Sequence, residues 1–553
     1  HDSLMARLDR LDSAKEIAQI GACISREFSY QLIAALAPND TPSLVEALDR
    51  LTDAELLYRR GRPPDATYSF KHALVQATAY QSLLKRRRKE IHSQIADVLL
   101  EQFSEIGEVE PELLGHHYSE AGRVELAITY WMRAGQQTAQ RAANLEAIQY
   151  FQRALSLLNT LPEDRARDAT ELNVLTHLGP ALMLTKGWAA QEVGTVYERA
   201  NELASRLEGS AELVPPLVGI WLFHNARGRY DLADAVTERL FHVARMTSDE
   251  DALLQAHHAG WPILLFRGAF ESASDYIEKG LDIYDYERHK HHALLYMGHD
   301  PAVCAHACGT QAVWALGFPD RAELHGVQAI ELARRVVHAP TLAFALWYVS
   351  GGHAARGDAE AVLAVMEELL PLSQEQKLVP FEASAHLIGG WALAAIGSVE
   401  DGLERMRVGF DIWNGTGNRT WLHVFTCLYG ESLLRDRRLP EALEALNRAL
   451  EIGRQTGERR WESRIHHLRG EALLYSGDAD SAVESLQMAI QVARTQHAKS
   501  WELRAATRLA MLWAEQGKRE DSLDLLAPIY GWFTEGFDTA DLKEAKALLE
   551  ELS

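Results

Sequence analysis

A ladder of glycines constrains this chain more than any other feature. Gly228 and Gly268 stand 40 residues apart, and Gly317, Gly357 and Gly397 repeat the interval; Arg437 occupies the next rung before Gly477 and Gly517 resume it. A second rail of aromatics, Phe381, Trp421, Trp461 and Trp501, keeps the same spacing. The aligned blocks, such as WLHVFTCLYGESLLRDRRLPEALEALNRALEI and WESRIHHLRGEALLYSGDADSAVESLQMAIQV, each read as an apolar helix, a tight turn and an amphipathic helix. A two-helix unit cannot bury its apolar face alone and must stack on copies of itself. The expected fold is therefore all-α, an α-solenoid of helical hairpins in which a left-handed glycine ends the first helix of each pair. Such a fold turns the functional expectation from catalysis towards binding.

From about Pro111 the pattern is continuous hairpins. In GRVELAITYWMRAGQQTAQRAANLEAIQYFQRALSLLNTLP, the small residues Ala127, Ala134, Ala147 and Ala154 and the aromatics Tyr130 and Tyr150 fall where paired helices interlock. This is tetratricopeptide-like packing with a repeat longer than the standard 34 residues. Gly187 precedes Gly228 by 41 residues and extends the ladder towards this first hairpin. One rung is out of step: Gly268 to Gly317 is 49 residues, and the surplus falls in a His-rich insertion at about 285–305. Insertions in solenoids map to one face, which often binds.

Residues 1–105 read differently. Helical pattern covers roughly 3–20, 28–37 and 43–54, followed by LLYRRGRPPDATYSF, two strand-like runs around a turn whose Gly61, Pro63 and Pro64 exclude helix. Another helix opens near Lys71 and a further one covers Glu90 to Phe103. Helices followed by a β-hairpin are the signature of a small winged-helix domain, so the expected division is 1–105 winged-helix coupling domain and 106–553 superhelical arm. The opening HDSLMARLDR is neither an initiator methionine nor a signal peptide, and the chain is expected to begin inside a longer protein.

The net charge of −22 lies almost wholly on the arm: residues 1–105 carry 14 Lys/Arg against 15 Asp/Glu, the remainder 42 against 63. An acidic arm repels phosphate backbones, which argues against nucleic acid as its partner. The basic run Lys85–Lys89, with Arg59 and Arg60, offers DNA a contact, but the helix before the wing presents Glu46, Asp49, Asp53 and Glu55; a solvated face or a neighbouring domain suits these cations better. Four cysteines in 553 residues make no disulfide framework, and no apolar run reaches the roughly 20 residues of a membrane span, so a cytoplasmic protein without a membrane partner is expected.

No G-x-x-x-x-G-K-[ST], G-x-S-x-G or H-E-x-x-H motif occurs, and the chain is expected to be non-catalytic, with no cofactor of its own. The one metal-like cluster is His289, His291, His292, His299, Cys304, His306 and Cys308. Asp300-Pro301 reads as an N-cap and first helical residue, which puts Cys304 and Cys308 one turn apart on one face and His306 elsewhere. C-x-H-x-C on one helix cannot surround an ion, so the plainer expectation is a solvated His-rich loop followed by two buried cysteines, with His299, Cys304 and Cys308 as the remaining metal candidates. Trp421, Trp461 and Trp501 are candidate effector contacts, although repeated tryptophans are more often stacking core. His72, at the start of the helix after the wing, stands where a helix N-terminus attracts phosphate; the plainer alternative is a cap or a packed residue beneath the hairpin.

The runs EIAQIGACISREFSYQLIAAL, LTDAELLYRRG…YSFKHALVQATAYQSLLKRRRKEIHSQIA and HHYSEAGRVELAITYWMRAGQQ resemble a family of bacterial STAND-class signal-transduction ATPases. These carry a P-loop ATPase, a winged helix and a tetratricopeptide-like arm, often behind a class III adenylate/guanylate cyclase; the ending YGWFTEGFDTADLKEAKALLEEL is similar to the end of the cyclase-linked members. The arm is also similar to the sensor arm of the transcription activator MalT. The resemblance implies an upstream ATPase domain as partner of the winged helix, ATP/ADP bound by the parent protein, and a protein or small-molecule effector on the arm. Phe70-Lys71-His72-Ala73 looks like the family's Met-His-Asp-type motif, with His72 matching the histidine that reaches the ADP β-phosphate and Ala73 standing where aspartate is usual.

Overall fold

The computed structural model describes residues 8, 10, 11, 13–37, 41–103, 110–207 and 213–553. The chain forms two compact units, one of His1–Thr138 with Glu146–Arg167, the other of Ala139–Leu145 with Asp168–Ser553. The change of sequence pattern near residue 105 thus precedes the division in space, since the first hairpins cluster with the N-terminal elements.

In the N-terminal unit, helices Ser13–Ile24, Tyr30–Leu36 and Thr41–Asp53 precede the hairpin β2 (Leu57–Arg60) and β3 (Thr67–Phe70). A short strand β1 (Glu27–Ser29) pairs antiparallel with β3, giving the order β1-β3-β2. The hairpin lies where Gly61, Pro63 and Pro64 indicate, but β1 takes residues read as the start of a helix: alternation over three residues buries Phe28 between two exposed neighbours, and Ser29 then caps the next helix by accepting the Leu32 N–H. The first part of the helix expected over 3–20 lies outside the described residues. Helices Ala73–Gln81 and Lys85–Gln102 complete this region, the second opening five residues earlier than its apolar pattern suggests because the basic run forms its exposed first turn. Beyond it, Ala127, Ala134, Ala147 and Ala154 are all buried, and Tyr118–Tyr130 and Trp131–Tyr150 stack at 5.5 Å across the helix pairs.

The C-terminal unit is a run of helix pairs. The 40-residue ladder marks their turns. Gly228 separates Val214–Ala226 from Tyr230–Thr247, Gly268 separates Glu250–Phe266 from Phe270–Ile283, and the pattern continues to Gly517, between Lys499–Glu515 and Arg519–Tyr530. Every rung is left-handed, including the one without glycine: Arg437 has φ +58°, and its guanidinium lies 3.6 Å from the Tyr475 ring centroid. A second ladder runs half a repeat away, at the ends of the second helices. Val337, Lys377, Gly417, Gly457 and His497, again 40 apart, all have positive φ. Helix Ala540–Leu552 closes the array by laying Leu542, Ala545, Leu548 and Leu552 on the last pair.

Residues far apart in sequence also meet. The carbonyl of Ala226, at the end of one first helix, accepts the N–H of Arg419 at 2.8 Å; Phe266 accepts Arg459 at 2.7 Å; Trp314 accepts the hydroxyl of Ser500, 186 positions on, at 2.6 Å. The last carbonyls of a helix have no partner within it. Here the opening of a much later repeat supplies that partner, and the same contact recurs at consecutive repeats.

Candidate functional site

The tryptophan rail lies along this seam. Trp421, Trp461 and Trp501 are 1%, 2% and 2% exposed, so the structure presents none of them to an open groove. Trp501 meets Trp314 edge-on at 4.6 Å, and Trp421 meets Trp347 at 4.9 Å. Trp461 meets Trp501 at 5.8 Å, and arginines stack on the other two rings, Arg460 on Trp421 and Arg464 and Arg504 on Trp501. Arg460 stacks on Trp421 at 3.9 Å and on Phe266 at 4.6 Å, donates to Glu458 at 2.9 Å, and reaches Gln311 Oε1 at 3.2 Å. Glu458 Oε2 accepts the Trp421 backbone N–H at 3.1 Å. Burial raises the Glu458 pKa and the Arg460 guanidinium opposes it. Arg464 pairs with buried Glu431 at 2.7 Å, and Arg504 with Asp541 while also donating to the Ala355 carbonyl at 2.9 Å.

Trp421 also lines a narrow cavity of about 30 Å³, with Trp188, Trp221, Trp347, Asn225 and Met297 among its walls. The indole N–H groups of Trp188, Trp221 and Trp347, and Asn225 Oδ1, have no hydrogen-bond partner. That volume admits a water or two. His299 and Cys304 stand in the same wall.

The His-rich insertion is therefore interior, which corrects the expectation of a solvated loop. His289, His292, His299 and Asp300 are all buried, whereas Asp285, Glu287, Arg288, Lys290 and His291 face outward. The helix Pro301–Ala315 begins as the sequence indicates: Asp300 accepts the N–H groups of Ala302 and Val303 and takes the Tyr284 hydroxyl at 2.8 Å. Cys304 and Cys308 are buried on that helix, and His306 turns away to His325. What sequence spacing could not disclose is the facing helix Glu250–Phe266, which supplies Asp251, Gln255 and His258.

Polar atoms link insertion and helix in a chain. The Asp285 N–H donates to His289 Nδ1 at 2.8 Å, and His289 Nε2 meets Asp251 Oδ1 at 3.1 Å. Gln255 Nε2 lies 3.1 Å from His292 Nδ1, and Gln255 Oε1 lies 3.3 Å from His258 Nδ1. His258 Nε2 ends 3.3 Å from His299 Nε2, beside Cys304, whose sulfur accepts the Trp261 indole N–H at 3.4 Å. Burial lowers the pKa of His258 and pushes His292 down to about 3, so both are neutral imidazoles near pH 7. Burial opposes ionisation of Cys304, yet the Cys308 hydrogen bond and the two imidazoles hold it well below the ordinary thiol range; burial and Cys304 push Cys308 well above it. The described residues contain three groups with ligand atoms within 4.8 Å of one another: His258/His299/Cys304, Asp251/His289/His292, and His92/His116/His117 in the N-terminal unit.

His72 is the N-cap of Ala73–Gln81, exposed, with extended backbone and no side-chain cap bond. The plainer role of a cap or packed residue therefore does not describe it. In the same region Arg59 of the hairpin is paired with Asp49 of the preceding helix, so part of the basic group is already matched within the unit.

These features define a tetratricopeptide-type helical scaffold. The tetratricopeptide-repeat family model matches residues 421–495. An uncharacterised protein of Rhizobium meliloti (strain 1021) is 27% identical over 434 residues, covering 78% of this chain and 42% of its own length, so the chain spans less than half of that curated relative. Among solved structures, a Rap protein complexed with competence and sporulation factor aligns with 67% of this chain and 98% of its own, at 13% identity and a TM-score of 0.51, a likeness of fold. A STAND protein with a tetratricopeptide repeat sensor from Pyrococcus horikoshii aligns with 87% of this chain and 63% of its own at 10% identity; its TM-score of 0.37 is too low to carry an argument. Among the described residues, no helix is long and apolar enough to cross a membrane.

Proposed function

We propose that this chain is the sensor and relay portion of a signal-transduction ATPase, possessing an effector-binding arm and a winged-helix module that restrains an upstream nucleotide-binding domain. The observation that carries the reading is the face around His72. Its imidazole takes no part in capping, Leu74 two residues on is 69% exposed, and Tyr58, under the Lys71 ammonium at 5.4 Å, is 56% exposed. An uncapped helix start, a histidine and large exposed apolar groups suit a phosphate-bearing neighbour that covers them. The order helix, strand, helix, helix, hairpin, with β1 added to the hairpin, supports the winged-helix reading.

In this mechanism an effector binds the arm more tightly in one of two states and shifts the balance between them; a coupling of about 1–3 kcal/mol is typical. The winged helix then releases the nucleotide site, whose ADP His72 contacts. In the full-length protein, His72→Ala should weaken ADP retention about tenfold to a hundredfold, the worth of one hydrogen bond to a charged group. Unchanged ADP affinity refutes the role.

A second reading, a free-standing scaffold for partner proteins, is favoured by two open grooves in the C-terminal unit. One of about 570 Å³ sets Glu271, Asp275 and Glu278 opposite Arg494 and Lys499; another of about 410 Å³ is lined by Glu431, Arg435 and Glu471. The sensor requires partner binding to depend on nucleotide, and the scaffold does not.

A further inference from the structure

We propose that His258, His299 and Cys304 bind one d10 metal ion, Zn²⁺ or Cu⁺, inside the C-terminal unit. Their ligand atoms lie within 4.8 Å of one another and all three side chains are buried. They come from helix Glu250–Phe266, the end of the insertion and helix Pro301–Ala315, so the site forms only when these three segments meet.

The hydrogen-bond chain leading to the site sets the tautomers. An amide NH₂ donates only, so His292 Nδ1, 3.1 Å from Gln255 Nε2, accepts and carries no proton. The carbonyl of the same amide accepts only and lies toward His258, which makes His258 donate through Nδ1 and leaves its Nε2 lone pair facing His299 and Cys304. A metal-binding histidine is characteristically oriented in this way, its second nitrogen donating to a fixed acceptor.

The spacing also fits. Two imidazole nitrogens about 2.05 Å from a tetrahedral ion are about 3.3 Å apart. His258 Nε2 and His299 Nε2 are separated by 3.3 Å, which matches that span. The Trp261 N–H on the Cys304 sulfur is the kind of donor that steadies a thiolate ligand, and the neighbouring cavity of about 30 Å³ has room for a water as fourth ligand. Two neutral imidazoles with a thiolate suit soft and borderline ions; with Cu⁺ the complex is neutral, with Zn²⁺ it carries one positive charge. Asp251, His289 and His292 need no ion, because the hydrogen bonds just described already occupy that group.

The assignment is independent of the role given to His72. The test is titration of the whole chain, freed of metal by chelator and kept reduced, with Zn²⁺ and with Cu⁺ against chromophoric competitors, followed by X-ray absorption of the loaded protein. The expected result is one equivalent of either ion, a shell of one sulfur and two nitrogens, and a raised unfolding midpoint. Cys304→Ser and His299→Ala should each lower affinity at least about a hundredfold, and Gln255→Ala about tenfold to a hundredfold through His258. His289→Gln should leave the stoichiometry at one. Failure of both ions to bind stoichiometrically, or undiminished affinity in Cys304→Ser, overturns the site; should the variants not fold, a wild-type shell without sulfur overturns it.

Discussion

Gly228→Ala tests whether remote repeats are truly packed together. Gly228 has φ +67°, and a Cβ placed there would meet Thr456 Cγ2 at 2.7 Å and Thr456 Cβ at 3.1 Å. Gly357 occupies the equivalent turn with φ +84°, yet a Cβ on it meets nothing within 4 Å. Both substitutions force a side chain into the left-handed region, costing about 1–2 kcal/mol. Only Gly228→Ala adds overpacking, a further cost of about 1–3 kcal/mol because Thr456 is buried and its hydroxyl is anchored on the Ile452 carbonyl. Equilibrium urea unfolding followed by helical circular dichroism gives both losses on one scale. Thr456→Ser removes the methyl that clashes, so it should rescue part of the loss in the Gly228→Ala background, a coupling that a double-mutant cycle isolates. In an array whose repeats touch only their neighbours the two glycines are equivalent. Equal losses at Gly228 and Gly357, with Thr456→Ser additive, would refute the packing described for this seam.

Two other measurements probe the interior. Arg460→Ala strands the buried carboxylate of Glu458 and should cost about 3–5 kcal/mol, whereas Arg460→Met with Glu458→Gln, which removes both charges at similar volume, should recover most of it; no recovery in urea unfolding would show that charge compensation is not what Arg460 supplies. His423 is buried, its Nδ1–H on the Ala449 carbonyl, and burial lowers its pKa from 6.5 to about 4. The unfolded chain therefore takes up this proton below pH 6.5 while the fold refuses it until about 4, so its cost is absent above 6.5 and grows on acidification by up to about 1.4 kcal/mol per pH unit. His423→Asn should flatten stability against pH across that window, and an unchanged slope would show that the histidine titrates elsewhere.

Much of the fold was legible in the chain itself. Helix pairs follow from apolar periodicity, their turns from Gly228 and its successors, the start of Pro301–Ala315 from Asp300-Pro301, and the hairpin from Gly61, Pro63 and Pro64. The second ladder was not legible because Val337, Lys377 and His497 are poor markers of left-handed backbone; the packing around them, and not their own preference, holds that conformation. The candidate metal group was half legible. His299, Cys304 and Cys308 were drawn to attention by composition, but spacing along one helix excluded a site because it could not know that His258, 41 positions before His299, faces them across a helix pair.

Sequence alone therefore determined the local units: how long the helices are, where they turn, and which stripe of each is apolar, all properties of residues within one repeat. The tertiary structure alone decided that Trp421, Trp461 and Trp501 are buried inside the array, Trp421 and Trp501 against its earlier repeats, that a His-rich insertion is swallowed rather than solvated, and that His72 is left outside. The physical reason is that a solenoid's local pattern is satisfied by stacking neighbours. Contacts such as Arg419 with Ala226 or Ser500 with Trp314 depend on how small rotations accumulate over several repeats, and no single repeat encodes that sum.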